Sequence, residues 1–492
     1  MFAAFAAGAL AVTGFAPIGF WPLTFIAFAT LFALLRRAPH ARDALRTGFT
    51  FGLGMFIFGV SWVYISMHDY GGLAMPLAAL ATLLFCAYLA IYPLIAAGAF
   101  ARCAATRSLA AAFAFASCWT LADWLRSAFP SGFPGLVLGY SQIDSPLAGF
   151  APVTGVYGLS FATALCGALL WIVVTGIRRE RIAAALMLVF VFGLGQSLRS
   201  IEWTAPQGEP FRVALLQGNI SQDLKFQPGR FAATLATYRR MIENADARLI
   251  VLPETAIPRF LDTIDPFYLE HLARRARERN ADILLGVPVR EDGHRYFNSV
   301  VSLGASPAQR YDKAHLVPFG EYLPPGFGWF VRALGIPLSD FTAGSATPQP
   351  LALAGQFVAP DICGEDTFGE EVIRQLPRAT VLVNVSNIAW FGDSFAPGLH
   401  LQMSRMRTLE TGRYMLRATN TGATAIIDAR GRVLAQLPVF TEGALTGVAQ
   451  GYQGATPYVR FGNTPVVIVC LILLGAFLLP AVRIRLRERP KR

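Results

Sequence analysis

Charge is scarce in this chain. Asp, Glu, Lys and Arg make up 15% of its 492 residues and 54% are apolar, whereas a soluble domain carries about one charged residue in four. That balance points to a membrane class. Lysine is scarcer still: only Lys225, Lys313 and Lys491 occur among 42 basic residues, so arginine serves wherever any cation suffices. No internal repeat and no low-complexity segment is present. No basic n-region precedes the first apolar stretch, so a cleaved signal peptide is not expected.

What is present is apolar length. Stretches near residues 3–19, 20–35, 47–66, 74–100, 108–125, 154–176, 181–199 and 465–482 are each close to the roughly 20 residues that cross about 30 Å of hydrocarbon. The expectation is seven spans in residues 1–200, a polar domain over 201–460, and a last span with a basic tail over 461–492. The first two are separated only by the Gly19–Pro22 region and can be short or tilted. Lys and Arg in short loops stay cytoplasmic, and they fall on one side here: Arg36, Arg37, Arg42 and Arg46, then Arg102 and Arg107, then Arg178, Arg179 and Arg181, then the tail from Arg483 to Arg492. The opposite loops hold little beyond Arg126. Both termini are therefore expected in the cytoplasm and the polar domain on the outer side, the periplasm in a bacterium.

The net charge of +11 is accounted for by these fifteen orienting cations, less Asp43, Glu180 and Glu488. The remainder is near neutral, and no basic stripe argues for nucleic acid. Cysteine occurs at 86, 103, 118, 166, 363 and 470, and only Cys363 lies in the outer domain. A lone thiol there cannot close an internal disulfide and is open to oxidation unless it serves a purpose, so Cys363 is a candidate nucleophile.

From Phe211 onward, short β-branched runs alternate with amphipathic helices, the texture of an α/β domain. Strands are predicted at 211–216, 248–252, 283–289, 298–303, 356–360, 380–385 and 414–419, with a hairpin over 423–437. Helices are predicted at 230–244, 266–280, 369–376 and 399–409. Residues 320–347, with Pro324, Pro325, Phe327, Trp329 and Phe330, read as an apolar Gly/Pro-rich loop. It is either a packed Ω-loop or, favoured beside so many spans, a lid or arm that meets the bilayer.

Three polar groups close apolar strands, where open α/β sheets present their sites: Glu254 in Val-Leu-Pro-Glu-Thr, Lys313 in Tyr-Asp-Lys-Ala-His, and Cys363 in Asp-Ile-Cys-Gly-Glu. Taken singly, each has an ordinary explanation as a solvated cap, a surface charge or a small core residue. The scarcity of lysine marks Lys313 as chosen for its compact ammonium, which approaches a developing oxyanion as a planar guanidinium does not. Asp312 and His315 flank it, but neighbours in sequence rarely converge on one atom.

In that order and context, the Glu, Lys and Cys resemble the nitrilase superfamily. The transmembrane frame, with Leu-Leu-Gln-Gly-Asn at 215–219, Pro-Glu-Thr-Ala at 253–256, Lys-Ala-His-Leu-Val-Pro-Phe-Gly-Glu-Tyr at 313–322 and Trp-Phe-Gly-Asp-Ser at 390–394, is similar to the apolipoprotein N-acyltransferase family over essentially the whole chain. The resemblance implies a polytopic α-helical membrane protein carrying an α/β nitrilase-like αββα sandwich. It implies Glu254 as general base, Lys313 as oxyanion stabiliser and Cys363 as nucleophile, supported by Glu321, Glu365 and Asn298, with Phe226, Trp390 and Trp329 at the substrate site. Phe226 stands where the family often has Trp, and Ile388 replaces an expected Asp, which removes any polar role there. No metal or cofactor is implied. The implied partners are a phospholipid donor, with phosphatidylethanolamine the foremost candidate, and a diacylglyceryl apolipoprotein acceptor, handled by a monomer in the inner membrane.

The chemistry fits those residues. A thiolate attacks an ester carbonyl that an alcohol would not, once a carboxylate takes its proton, and Lys313 offsets charge on the tetrahedral oxygen, worth about 3–4 kcal/mol. Whether water or an amine resolves the thioester separates a hydrolase from an N-acyltransferase. Eight spans favour the amine, since both lipid substrates lie at the bilayer, and the 320–347 and 388–398 loops can keep water out. Two rivals make different forecasts. A tethered amidase predicts a polar pocket and ammonia release, and a transporter predicts ionisable residues within spans, of which Asp123 is the main example.

Overall fold

The structure, a computed structural model, describes residues 1–103, 108–129, 132–291, 293, 295–318, 320–322 and 340–487. The chain forms two compact units. Met1–Tyr64, Pro76–Glu202 and Arg460–Arg492 make a helical unit, and Ile65–Met75 with Trp203–Val459 make a sheet-based one.

The helical unit contains α1 (Phe2–Val12), α2 (Pro22–Arg36), α3 (Ala41–Val60), α4 (Met75–Phe100), α5 (Ser108–Ala128), α6 (Ala151–Thr175), α7 (Arg178–Leu198) and the C-terminal Thr464–Arg487. By length and composition, four helical stretches can cross a membrane: Met75–Phe100, Ser108–Ala128, Pro146–Thr175 and Arg178–Leu198. The number becomes five if the broken pair Ala41–Val60 and Val63–Tyr70 counts as one, and Phe2–Val12, Pro22–Arg36 and Thr464–Leu478 are shorter apolar helices. The expected eight full spans are therefore not all of full length. The 11 residues of α1 rise about 17 Å, well short of the hydrocarbon thickness. Close backbone approach packs this short helix: a Cβ on Gly8 would lie 2.0 Å from the Phe51 carbonyl oxygen, and one on Gly54 would lie 2.1 Å from that of Phe5. Small residues at such crossings replace the hydrophobic drive that lipid cannot supply.

In the second unit, two six-stranded sheets run in the orders β12-β1-β2-β3-β4-β5 and β11-β10-β9-β8-β7-β6. The first comprises β1 (Thr204–Gln217), β2 (Leu249–Val251), β3 (Asp282–Glu291), β4 (Arg295–Gly304), β5 (Arg310–Asp312) and β12 (Gly443–Gly454). The second comprises β6 (Leu351–Leu353), β7 (Gln356–Ile362), β8 (Val381–Ser386), β9 (Met415–Thr419), β10 (Ala425–Ile427) and β11 (Val433–Gln436). Strand alternation decides the layers. Val213, Leu215, Val251 and Leu284 of the first sheet meet Val358, Val383, Val385 and Leu416 of the second in one core. The opposite face, through Ala214, Leu216, Ile250 and Ile283, packs on Tyr238 and Met241 of α8 (Phe231–Asn244) and Leu272 of α9 (Pro266–Glu278). Ala359, Leu382 and Met415 bury against Val372 and Ala379, with Leu401 of α10 (Ala396–Thr411) beside them. The result is the anticipated αββα sandwich. Both sheets are parallel at their centres, β1-β2-β3 and β7-β8-β9, so the C-terminal ends of β2, β7 and β8 lie where a site is built.

Candidate active site

Glu254 follows β2 in a tight turn. Thr255 adopts φ +48°, and the turn lies so close on β3 that a Cβ at Gly286 would sit 2.2 Å from the Pro253 carbonyl oxygen. Glycine at that point lets the carboxylate reach inward. Its Oε1 accepts from Asn298 Nδ2 at 2.7 Å, and its Oε2 accepts from the Asn387 backbone N–H at 2.8 Å. The base candidate is therefore held from both sheets.

Lys313 leaves β5 fully buried. Its Nζ stands 2.8 Å from Glu321 Oε1 and 3.6 Å from Glu254 Oε1. Burial works to lower the ammonium's pKa, but Glu321 and Glu254 prevail and raise it overall, so Lys313 is a fixed cation. Asn298 ties the cluster together, since the same Nδ2 that reaches Glu254 also donates to Glu321 at 2.8 Å. Glu321 Oε2 in turn accepts from the Val317 N–H at 2.8 Å.

Cys363 begins the turn after β7 with φ +57°. A non-glycine residue in the left-handed region stores strain of order 1–3 kcal/mol, and such strain clusters at functional sites. Burial pushes the thiol up, and Glu254 pushes it further. Lys313 pulls it down. The thiol is thus protonated at rest, flanked by a carboxylate that can take its proton and a cation that can offset the charge left behind. Glu365, two residues on, fixes the register. It accepts from Ile362 N–H at 2.7 Å, Ala314 N–H at 2.7 Å, His315 N–H at 3.0 Å and the Tyr311 hydroxyl at 2.8 Å. It therefore clamps the segment bearing Lys313 to the strand bearing Cys363. Burial raises its carboxyl, against the pull of Lys313 and these donors.

The remaining predicted residues divide. Phe226 is 37% exposed beside the short helix Gln222–Lys225. Trp390 lies in the turn Ile388–Phe391, with its ring 6.1 Å from Tyr70 and edge-on to it. Ile65 stands beside Gly392 of the same loop, so residues 65–75 pack on this end of the sheet-based unit. Ile388 is buried against Gly422, an apolar packing role in place of a carboxylate. Trp329 and residues 323–339 of the predicted lid lie outside the described residues. Asp312 and His315 do not converge: Asp312 accepts from Ser299 and Arg310, and His315 pairs with Glu371 at 3.2 Å. Among the described residues no group of three or more His, Cys, Asp or Glu could hold a metal ion.

Sequence reasoning passed over two groups. Behind Cys363, Asn384 donates to its carbonyl at 3.0 Å and accepts from Arg417, which also reaches Asp366 at 3.2 Å, and Asp366 binds His400 at 2.6 Å. The second is Lys225, buried to 3% exposure, whose Nζ donates to the Glu254 carbonyl oxygen at 3.3 Å. The scarcity of lysine, used for Lys313, pointed equally to Lys225.

A family model described as the apolipoprotein N-acyltransferase N-terminal domain matches residues 7–169, and one described as carbon-nitrogen hydrolase matches residues 212–457. A protein of Nitrosomonas europaea named apolipoprotein N-acyltransferase is 50% identical over 487 residues, 97% of each chain. Proteins of the same name from Ralstonia nicotianae and Pseudomonas aeruginosa are 45% and 42% identical, covering 95% and 98% of this chain and 91% and 96% of theirs. Among solved structures, the C. elegans NitFhit protein is 19% identical over 51% of this chain and 62% of its own, with a TM-score of 0.40. A carbon-nitrogen hydrolase from Helicobacter pylori G27 is 15% identical over 49% and 89%, with a TM-score of 0.38.

Proposed function

The chain belongs to the apolipoprotein N-acyltransferase family, and from that premise we propose that it moves an acyl chain from a membrane phospholipid, through a thioester on Cys363, to the α-amino group of an S-diacylglyceryl-cysteine at a lipoprotein N-terminus. It is an acyltransferase of bacterial membranes. The finer reading places it in the inner membrane as a monomer, termini in the cytoplasm, catalytic unit in the periplasm, with phosphatidylethanolamine as the donor.

The observation that carries this reading is the setting of Cys363, a strained thiol that burial keeps protonated and that faces Glu254 and Lys313. Glu254 takes the thiol proton as Sγ attacks the ester carbonyl. Lys313 stands against the oxyanion, with Glu321 and Asn298 fixing both groups. On collapse the ester C–O bond breaks, Glu254 returns its proton to the lysophospholipid alkoxide, and the acyl chain remains on sulfur. An amine then replaces the sulfur, while Trp390 and Phe226 help to keep water away.

Such covalent splitting predicts two separable halves. Enzyme incubated with labelled phospholipid and stripped of lipid will carry one acyl mass on Cys363, and will pass the label to a diacylglyceryl peptide added afterwards. Label that reaches the peptide only when donor and acceptor are present together overturns the thioester. Ammonia release from an amide, without acyl transfer, would favour a tethered amidase.

A further inference from the structure

The two halves differ in their proton balance. Charging the enzyme is neutral: the thiol loses one proton and the departing alcohol gains one, so a single shuttle, Glu254, suffices. Discharge is not. An α-ammonium carries three protons, the amide product keeps one, and the regenerated thiol takes one. One proton must leave the site. Glu254 can hand the second proton of the amine to the departing thiolate, but the first must go before the nitrogen has a lone pair to attack with. Acceptor that enters as the ammonium therefore needs a second base inside the site, and the base of the first half cannot be both.

The sheet-based unit holds a buried basic group that the charging step leaves unused. Lys225 ends the short helix Gln222–Lys225, whose Gln222 Oε1 accepts from Asn387 Nδ2 at 3.0 Å, the residue whose backbone N–H also holds Glu254. The helix is thus fastened to the Glu254 side of the site. The Nζ of Lys225 donates to the Glu254 carbonyl oxygen at 3.3 Å, and unlike Lys313 it has no carboxylate within ion-pairing distance among the described residues. The titratable groups that face it are Glu254 and Cys363. Burying a lysine without an ion-pair partner disfavours its charged form, and desolvation lowers Lys225 to about 8 although both neighbours oppose this. An α-amino group titrates at about 8 as well. The two amines are matched, so a proton crosses between them at little cost.

We propose that Lys225 is the proton acceptor of the discharge half-reaction: as the free amine it takes the first proton of the acceptor's α-ammonium, so that the uncovered amine attacks the Cys363 thioester, and it then releases that proton to solvent. This rests on the acyl-thioester reading above.

The test charges the full-length enzyme with a labelled soluble short-chain ester and follows discharge. Lys225→Met will charge within a few-fold of wild type, will discharge to a diacylglyceryl peptide about 10-fold more slowly at pH 7, where roughly a tenth of the α-amine is already neutral, and will discharge to hydroxylamine, already neutral at that pH, at the wild-type rate. Lys225→Arg, which keeps the charge and cannot give up its proton, will behave like Lys225→Met. The defect will narrow as pH rises, because above about pH 8 the α-amine is already neutral and needs no acceptor, so both variants will climb towards the wild-type rate there. Wild-type peptide discharge by Lys225→Met at pH 7, equal losses with peptide and hydroxylamine, full rescue by Lys225→Arg, or a charging defect beyond a few-fold in a folded variant each overturns the proposal. A variant defect that stays undiminished well above about pH 8 overturns it as well. Failure of wild type to form any acyl-thioester would overturn the underlying reading instead.

Discussion

Each unit buries at least one ion pair, and two of them, one from each unit, are built on opposite plans. In the helical unit, Asp123 and Arg126 meet at 3.0 Å on α5 and nothing is left over. Asp123 also accepts from Trp119 Nε1, Ser160 Oγ and the Leu138 N–H, and Arg126 donates to the carbonyls of Phe133 and Gly135. In the sheet-based unit, Lys313 lies between two carboxylates, the Asn298 side-chain oxygen has no partner among the described residues, and Cys363 remains partly exposed. A saturated network specifies one arrangement. An unsaturated one keeps capacity for charge that appears during a reaction. The ionisable residue that made a transporter conceivable, Asp123, is a fastening, bound to Arg126, Trp119, Ser160 and the Leu138 N–H.

The comparison breaks first at Cys363. Cys363→Ser will leave thermal unfolding unchanged and reduce acyl transfer below about one percent of wild type, because a hydroxyl with only a carboxylate to activate it is a far poorer nucleophile than a thiol. Turnover above that level removes the nucleophile from the argument. Asp123→Ala will do the reverse. Orphaning buried Arg126 will cost about 3–5 kcal/mol of stability, read as a lowered unfolding midpoint in detergent, while charging per folded molecule stays at the wild-type level. If charging fails in folded protein, the helical pair is not merely structural. Lys313→Arg sharpens the contrast, since it keeps the charge and loses the shape. The planar guanidinium cannot sit 2.8 Å from Glu321 and still face the oxyanion, so charging will fall about 100-fold with the midpoint little moved.

The smallest effect belongs to exposed charge. Glu243 is held below the usual carboxylate range by Arg239 and then His271. A depressed carboxyl adds stability at neutral pH and loses it as pH falls through the folded value. Because the pair is screened, Glu243→Gln will change stability by no more than about 0.5 kcal/mol at pH 7, and the difference will vanish in acid titration. A larger shift would show the surface cluster to be structural.

Legibility followed the strength of local pattern. The strand predicted at 211–216 is the apolar part of β1, and the helix at 266–280 is α9, because alternation and amphipathicity there are unbroken. β12 escaped notice: Gly-Ala-Leu-Thr-Gly-Val-Ala-Gln-Gly-Tyr-Gln-Gly reads as a loop, yet its pairing with β1 from Leu216–Ala444 back to Thr204–Gly454 overrides weak propensity. β5 and β6, at three residues each, are too short to show a period. Glu254 and Cys363 stood out because each ends an apolar run, and Lys313 because lysine is scarce in this chain. Lys225 did not, since it lies in a four-residue helix with no strand before it, and only the fold brings it to Glu254. The part played by Glu365 was hidden for the same reason, because its donors come from residues more than 45 positions away as well as from its own turn.

Residues 65–75 belong to the sheet-based unit although they lie between α3 and α4 in the chain. The catalytic half is therefore not severable by one cut. A chain starting at Trp203 would keep both sheets and all three groups around the thiol, yet it would lack Tyr70 against Trp390 and Ile65 beside Gly392. Synthesis also acquires an order. The insert leaves the ribosome some three hundred residues ahead of the loop it covers, and it waits, tethered between two apolar helices, until the rest of its unit arrives. The wall beside Trp390 is therefore completed only when strands made late meet a segment made among the first.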